Sequence, residues 1–297
     1  MTKRKNFPVL AALMGNILMG LDFVFSKSAL EYTKPFVLET WRLFIALAAM
    51  TIYAKVRGIK LPVRGRNMTP IIISGICDPL IYFVFVSYGV KLTNASFSGI
   101  MIAMIPIFTI VASAIFLKEK ANGRQWIFTV AGIAAIAAIS LHQSSEGNIT
   151  FLGVVLMLGA VIVSAAFAVL SRSLSGSYTP FERTYFTFLV AFVGFIFLTL
   201  FTNLNSLGDI VRPCKEPGFW LAAGYISICS GAISYTCAHY ANTYVPLART
   251  ASFANLATVF SMFAGVVFLH ESIDVFTVIM SAIVLVCAYF AQMAQNV

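Results

Sequence analysis

The sequence predicts an all-α integral membrane protein of ten transmembrane helices, arranged as two five-helix repeats of opposite orientation. Three observations carry this expectation: the composition, the length of the apolar runs and a long internal repeat. Of 297 residues, 60% are hydrophobic and 10% charged, with a mean hydropathy of +0.90; a soluble domain holds about 25% charged residues. Stretches between polar breaks run to about 20 apolar residues, the length a helix needs to cross a bilayer. Residues 88–119 return without a gap as residues 240–271, at a spacing of 152.

Ten spans follow in order: residues 7–29, 36–56, 69–90, 94–117, 125–142, 151–172, 181–202, 218–241, 246–269 and 275–294. The basic start Lys3-Arg4-Lys5 leads into a full-length apolar segment without a small-residue cleavage site, so the first span reads as retained. The longest loops, 55–68 and 203–217, leave no room for a soluble domain. With the N-terminus inside, Lys3, Arg4, Lys5, Lys55, Arg57, Lys60, Arg64, Arg66, Lys118, Lys120 and Arg124 share that side. Arg172, Arg183 and Arg249 join them, and Lys27, Lys34, Lys91, Arg212 and Lys215 lie opposite. This bias places both termini in the cytoplasm; the chain is expected in the inner or plasma membrane. The net charge of +9 reads as loop charge facing anionic headgroups rather than nucleic acid. Cys77, Cys214, Cys229, Cys237 and Cys287 form no C-x-x-C pair and read as small apolar residues; no cofactor is expected.

The repeat pairs Tyr88 with Tyr240, Phe108 with Phe260, Ala112 with Ala264 and Glu119 with Glu271. Earlier in the chain, Ser26-Lys27-Ser28 echoes Ser171-Arg172-Ser173, and Pro35-Phe36 echoes Pro180-Phe181, at a spacing of 145. An indel of seven residues connects the two registers, so residues 1–145 and 146–297 each hold five spans. Five is odd, and the second repeat must enter the membrane from the opposite side. Inverted repeats of this kind are the sequence signature of secondary transporters.

The ordered motifs resemble the EamA family of the drug/metabolite transporter superfamily over essentially the whole length. They are Gly15-Asn16 through Phe25-Ser26-Lys27, Pro35-Phe36 with Trp41-Arg42, and Tyr88-Gly89 with Thr93-Asn94-Ala95-Ser96. Pro106 at mid-span and the closing Leu117-Lys118-Glu119 complete the set. The resemblance implies ten helices, an inverted repeat, a central cavity, and export or exchange of small metabolites, commonly amino acids and often proton-linked. Thr258 stands where the family usually repeats the mid-span proline.

A carboxylate at mid-helix costs about 3 kcal/mol to insert and so needs a partner or a task. Asp78 in the third span is the leading candidate, because Pro79 after it frees a backbone carbonyl. Burial favours its protonated form. It suits a substrate ammonium or a coupling proton, unless a neighbouring helix bonds it. Tyr82 lies one turn on, on the same face. Asp22 in the first span is a second proton candidate, with Lys27 or Lys34 as alternative partners. Arg42 either pairs with Glu39 on its own helix or takes a substrate carboxylate. Tyr82, Tyr88, Tyr235 and Asn255 are expected to orient substrate, and His239 to relay protons near neutral pH.

The expected partners are a small-molecule substrate, protons and membrane lipids, in a monomer or homodimer. An enzyme is disfavoured: His270-Glu271 has no second histidine at zinc spacing, and there is no P-loop or G-x-S-x-G. A lipid flippase or a structural membrane subunit is the alternative, which calls for a bundle poor in buried polar groups.

Overall fold

The computed structural model describes residues 7–62, 66–116, 122–145, 147, 149–171, 178–244 and 247–293. Within these, the side chains of residues 110, 112–116, 144–145, 168–171, 247–255 and 292–293 are outside the description. The described residues are all-helical, without a strand. In order the helices are α1 (Phe7–Ala29), α2 (Pro35–Val56), α3 (Thr69–Gly75), α4 (Tyr82–Leu92), α5 (Ala95–Ile102), α6 (Ile105–Phe116), α7 (Gly123–Ser145) and α8 (Phe151–Ser171). Then follow α9 (Pro180–Thr202), α10 (Gly208–Val211), α11 (Pro217–Gly224), α12 (Tyr235–Tyr244), α13 (Leu247–Leu269) and α14 (Val275–Met293).

Six helical stretches are long and apolar enough to cross a membrane. They are α1, α2, α7 to Gln143, α9, and the composite rods Thr69–Leu92 and Pro217–Tyr244. Four shorter apolar helices, Ala95–Thr109, Phe151–Phe167, Leu256–Leu269 and Val275–Ala291, complete the bundle among the described residues. The outward face is apolar, with Val56, Ile127, Phe151, Phe201 and Leu221 all exposed. A surface of this kind suits hydrocarbon and not water. The protein is a multi-pass membrane protein.

Both composite rods are interrupted by a wide, π-type turn, at Ile76–Ile81 and Tyr225–Ser234. In the first, Asp78 leaves helical geometry (φ −140°, ψ 115°) just before Pro79, as expected of a residue that precedes proline. The second has no proline; there Ser227 Oγ donates to the Ala223 carbonyl, a side-chain bond that competes with the helix ladder. The span 94–117 is also broken. Ala103 and Met104 donate back to Ile100 and Met101 in tight turns just before Pro106. The corresponding α13 carries Thr258 instead and runs without interruption. The kink expected from the first half is therefore absent, because the backbone N–H lost at proline is retained at Thr258.

Packing draws the early helices of one half against the late helices of the other. α1 lies against α11, α12, α13 and the wide turn 225–234, while α8 lies against α4, α5, α6 and the turn 76–81. α2 packs on α9, α7 on α14 and α5 on α13. Small residues set these distances, as in most helix contacts within a bilayer. A Cβ added at Gly20 would stand 2.5 Å from the Ala257 carbonyl oxygen, and one at Gly99 would stand 2.4 Å from Ser261 Cβ. Thr258 and Ser261 then donate to the carbonyls of Gly99 (2.9 Å) and Ala95 (2.8 Å). The repeated glutamate acquires a role here. Glu271 accepts from Ala95 N (2.6 Å), Ser96 N (2.9 Å) and Ser96 Oγ (2.6 Å), capping α5 in the other half. Its counterpart Glu119 lies outside the described residues.

Candidate substrate and proton site

The helix breaks and small-residue contacts bring a cluster of charged groups into the middle of the bundle. Asp22 comes from α1, Glu39 and Arg42 from α2, and Asp78 from the wide turn after α3. All four are buried, at 1–6% exposure. Arg42 Nη2 lies 2.8 Å from Asp22 Oδ1, and Arg42 Nη1 lies 3.8 Å from Glu39 Oε1. The guanidinium rests on the Phe83 ring, 4.2 Å from its centroid, an arrangement that stabilises a desolvated cation.

Hydroxyls complete the cluster. Ser230 Oγ, from the second wide turn, donates to Asp22 Oδ1 at 2.6 Å. Ser26 Oγ donates to Asp22 Oδ2 at 3.4 Å. Ser87 Oγ donates to Glu39 Oε1 at 2.5 Å, leaving Glu39 Oε2 and Arg42 Nε without partners. Tyr235 of α12 donates its phenol to Asp78 Oδ1 at 3.1 Å. The Tyr235 ring also stands edge-on to Phe83 (6.2 Å) and Phe188 (5.1 Å). Phe83 therefore sits between the Arg42 group and the Asp78–Tyr235 pair. Both halves of the chain contribute to one site.

The residues singled out in the sequence separate into those that meet here and those that do not. Asp22, Arg42, Asp78 and Tyr235 meet, and Tyr82 is buried next to Phe83. Arg42 is not held mainly by Glu39 as expected of an i, i+3 pair; its closer partner is Asp22. The alternative partners of Asp22 are engaged elsewhere. Lys34 pairs with Asp209 (2.8 Å) and donates to Asn203 (3.1 Å). Lys27 donates to the carbonyls of Val90, Lys91 and Thr93, acceptors left open where α4 ends, a favourable place for a cation.

Tyr88 is half-buried against Phe36, at 5.2 Å, and no described contact joins it to the cluster. His239 is buried with Nε2 unpartnered, and its ring lies 6.5 Å from that of Tyr235. The Asn255 side chain lies outside the described residues. Sequence reasoning missed Ser87, Ser230 and Phe83. The first two look like packing residues in apolar helices, yet the repeat spacing of 152 sets Ser230 opposite Asp78 and Ser87 opposite His239.

The model of the EamA-like transporter family matches this chain twice, over residues 6–141 and 151–292. The chain belongs to the EamA-like transporter family. Members of that family are transporters and not enzymes. An uncharacterized transporter of Bacillus subtilis (strain 168), YcxC, is 30% identical over 277 residues, covering 92% of this chain and 89% of the relative. A probable terminal-alkyne amino-acid exporter of Streptantibioticus cattleyicolor is 27% identical over 141 residues, 48% of this chain and 46% of the exporter. A solved crystal structure superposes with a TM-score of 0.71 at 17% identity, covering 97% of this chain and 98% of that one. At that identity the likeness is one of fold.

Proposed function

We propose that this EamA transporter is a proton-linked exporter or exchanger of a small metabolite that carries an ammonium group, an amino acid or a related amine. The observation that carries the reading is a charge imbalance. Three buried carboxylates, Asp22, Glu39 and Asp78, share the cluster with one guanidinium, Arg42, which pairs with the first two. A buried charge is tolerated only when it is paired. Arg42 neutralises one carboxylate, and the surplus calls for protons or a cationic substrate. Asp78 is the exchangeable member, since its described polar partner is the Tyr235 phenol rather than a cation. A proton and a substrate ammonium compete for it, so loading one displaces the other. Asp22 assists by holding Arg42, Tyr82 and Tyr235 orient the substrate, and His239 lies along the same face of α12. The partial relative described as a probable terminal-alkyne amino-acid exporter supports the substrate class.

Alternating access follows from two inverted five-span halves, residues 1–145 and 146–297. The reciprocal packing of α1 and α8, and the paired wide turns, support that architecture. In this reading both termini face the cytoplasm across the inner membrane, and labelling from outside does not reach residues 57–66 in sealed cells. The test is flux into proteoliposomes under an imposed pH gradient, with a panel of amino acids, amines and nucleosides. One class is expected to accumulate, and Asp78→Asn is expected to abolish accumulation. Full pH-driven transport by Asp78→Asn would refute the role given to Asp78.

A further inference from the structure

A second guanidinium is buried in this bundle, and among the described residues it has no carboxylate partner. Arg183 of α9 is 2% exposed. Its Nη2 donates to the His239 carbonyl at 2.8 Å and to Thr243 Oγ1 at 2.6 Å. Among the described residues its Nε has no partner, and neither has Nε2 of His239, which is itself 5% exposed. The adjacent acid is engaged elsewhere: Glu182 pairs with Arg66 at 3.0 Å and accepts from Thr179 N at 2.8 Å. Among the described residues no carboxylate lies within ion-pair distance of Arg183. The same chain solves this problem for Arg42 with Asp22 and Glu39. At Arg183 the described partners are neutral: the His239 carbonyl and the Thr243 hydroxyl.

The repeat sharpens the contrast. At a spacing of 145, Glu39 falls on Thr184, next to Arg183; at 152, Ser87 falls on His239. The first half bonds a carboxylate to Ser87, whereas the second half sets a guanidinium against His239 at the related place. A buried cation without a counter-charge is a site for an anion. The open donors are the guanidinium Nε–H and the imidazole, in reach of the acceptor oxygens of a planar anion. With one guanidinium to neutralise, a monoanion balances the charge and a dianion does not.

We propose that Arg183, His239 and Thr243 form a carboxylate-binding station, separate from the Asp22–Arg42–Asp78 cluster and independent of proton coupling at Asp78. Its ligand is a small monocarboxylate group, either the carboxylate of an amino acid or a free monocarboxylate. Arg183 is the binding residue, and Thr243 holds its fork in place.

Thermal stabilisation of the purified full-length protein in detergent tests the assignment, with propionate, alanine, propylamine, chloride and phosphate as probes at matched ionic strength. Propionate or alanine is expected to stabilise the wild type at lower concentration than chloride, phosphate or propylamine. Arg183→Gln is expected to raise the half-saturating concentration of that carboxylate by about tenfold or more, the weight of a charge-assisted hydrogen bond. Arg183→Lys should fall between, and Arg57→Gln, an exposed arginine exchanged as a control, should match the wild type. Alanine alone acting identifies the substrate's own carboxylate; propionate acting equally identifies a free monocarboxylate. Equal carboxylate response in wild type and Arg183→Gln overturns the station, as does chloride or phosphate saturating it at the same concentration. No carboxylate response in a wild type that binds propylamine also overturns it, and leaves the proposed function standing. A carboxylate response lost in Arg183→Gln, with no flux of any amine or amino acid, keeps the station and overturns the proposed function.

Discussion

Arg42 Nη2 lies 2.8 Å from Asp22 Oδ1, an ion pair that ties α2 to α1 across twenty residues of sequence, with Ser230 of the second half donating to the same carboxylate oxygen. Removing one member of a buried pair leaves an uncompensated charge and costs about 3–5 kcal/mol. Arg42→Gln is therefore expected to lower the melting temperature sharply in detergent. The double exchange Asp22→Asn/Arg42→Gln should cost clearly less than the sum of the single changes. Additive losses would show that the pair is not coupled.

Tyr235 joins Asp78 to the second half of the chain through one hydrogen bond of 3.1 Å. Tyr235→Phe keeps the ring against Phe83 and Phe188 and removes only the donor. Stability should fall by about 1–3 kcal/mol, the cost of an unsatisfied buried acceptor. Substrate flux should fall further than stability does, because Asp78 loses its orientation. Unchanged flux in proteoliposomes would remove Tyr235 from the site.

The contacts of α1 and α5 with α13 depend on missing side chains. At Gly99 the obstacle to a Cβ is the Ser261 side chain, and at Gly20 it is the Ala257 backbone. Both Gly20→Ala and Gly99→Ala are expected to destabilise by about 1–3 kcal/mol, the range for overpacking. Ser261→Gly should recover part of the Gly99→Ala loss and none of the Gly20→Ala loss. Equal recovery of both, read as melting temperatures, would contradict the packing described.

Outside the spans, the Lys34 ammonium, hydrogen-bonded at 2.8 Å, holds the Asp209 carboxyl below the usual carboxylate range. A carboxyl depressed in the folded state stabilises the fold above its ordinary unfolded value of about 4, and that contribution fades as pH falls through the depressed value. Asp209→Asn should thus be slightly less stable than wild type at neutral pH, and the gap should close in acid. Both groups are partly exposed, so salt should shrink the gap too. A gap that persists in acid would contradict the pairing.

The apolar helices were legible because a bilayer demands long apolar runs: six stretches are long and apolar enough to cross, and within the described residues the remaining predicted spans coincide with shorter apolar helices. Asp78-Pro79 announced its own break, since a proline and a carboxylate are both costly in mid-span. The Asp22–Arg42 pair was not legible. It joins two helices through a contact twenty residues apart in sequence, which no periodicity within one helix reveals, and periodicity within α2 favoured Glu39 as the partner. Ser87 and Ser230 passed as packing residues because a serine in an apolar helix serves either purpose; only the repeat register distinguishes them. Arg183 was absorbed into the positive-inside count, although its burial sets it apart from loop cations such as Arg57.

The claim that protons and substrate compete for the buried carboxylates is tested most directly by proton release. Purified protein in weakly buffered solution, with a pH-indicator dye, would be mixed with the amino acid or amine selected by the flux panel. The account predicts that binding releases protons from the wild type and that Asp78→Asn releases none. Substrate binding to the wild type without proton release, or the same release from Asp78→Asn, would contradict it.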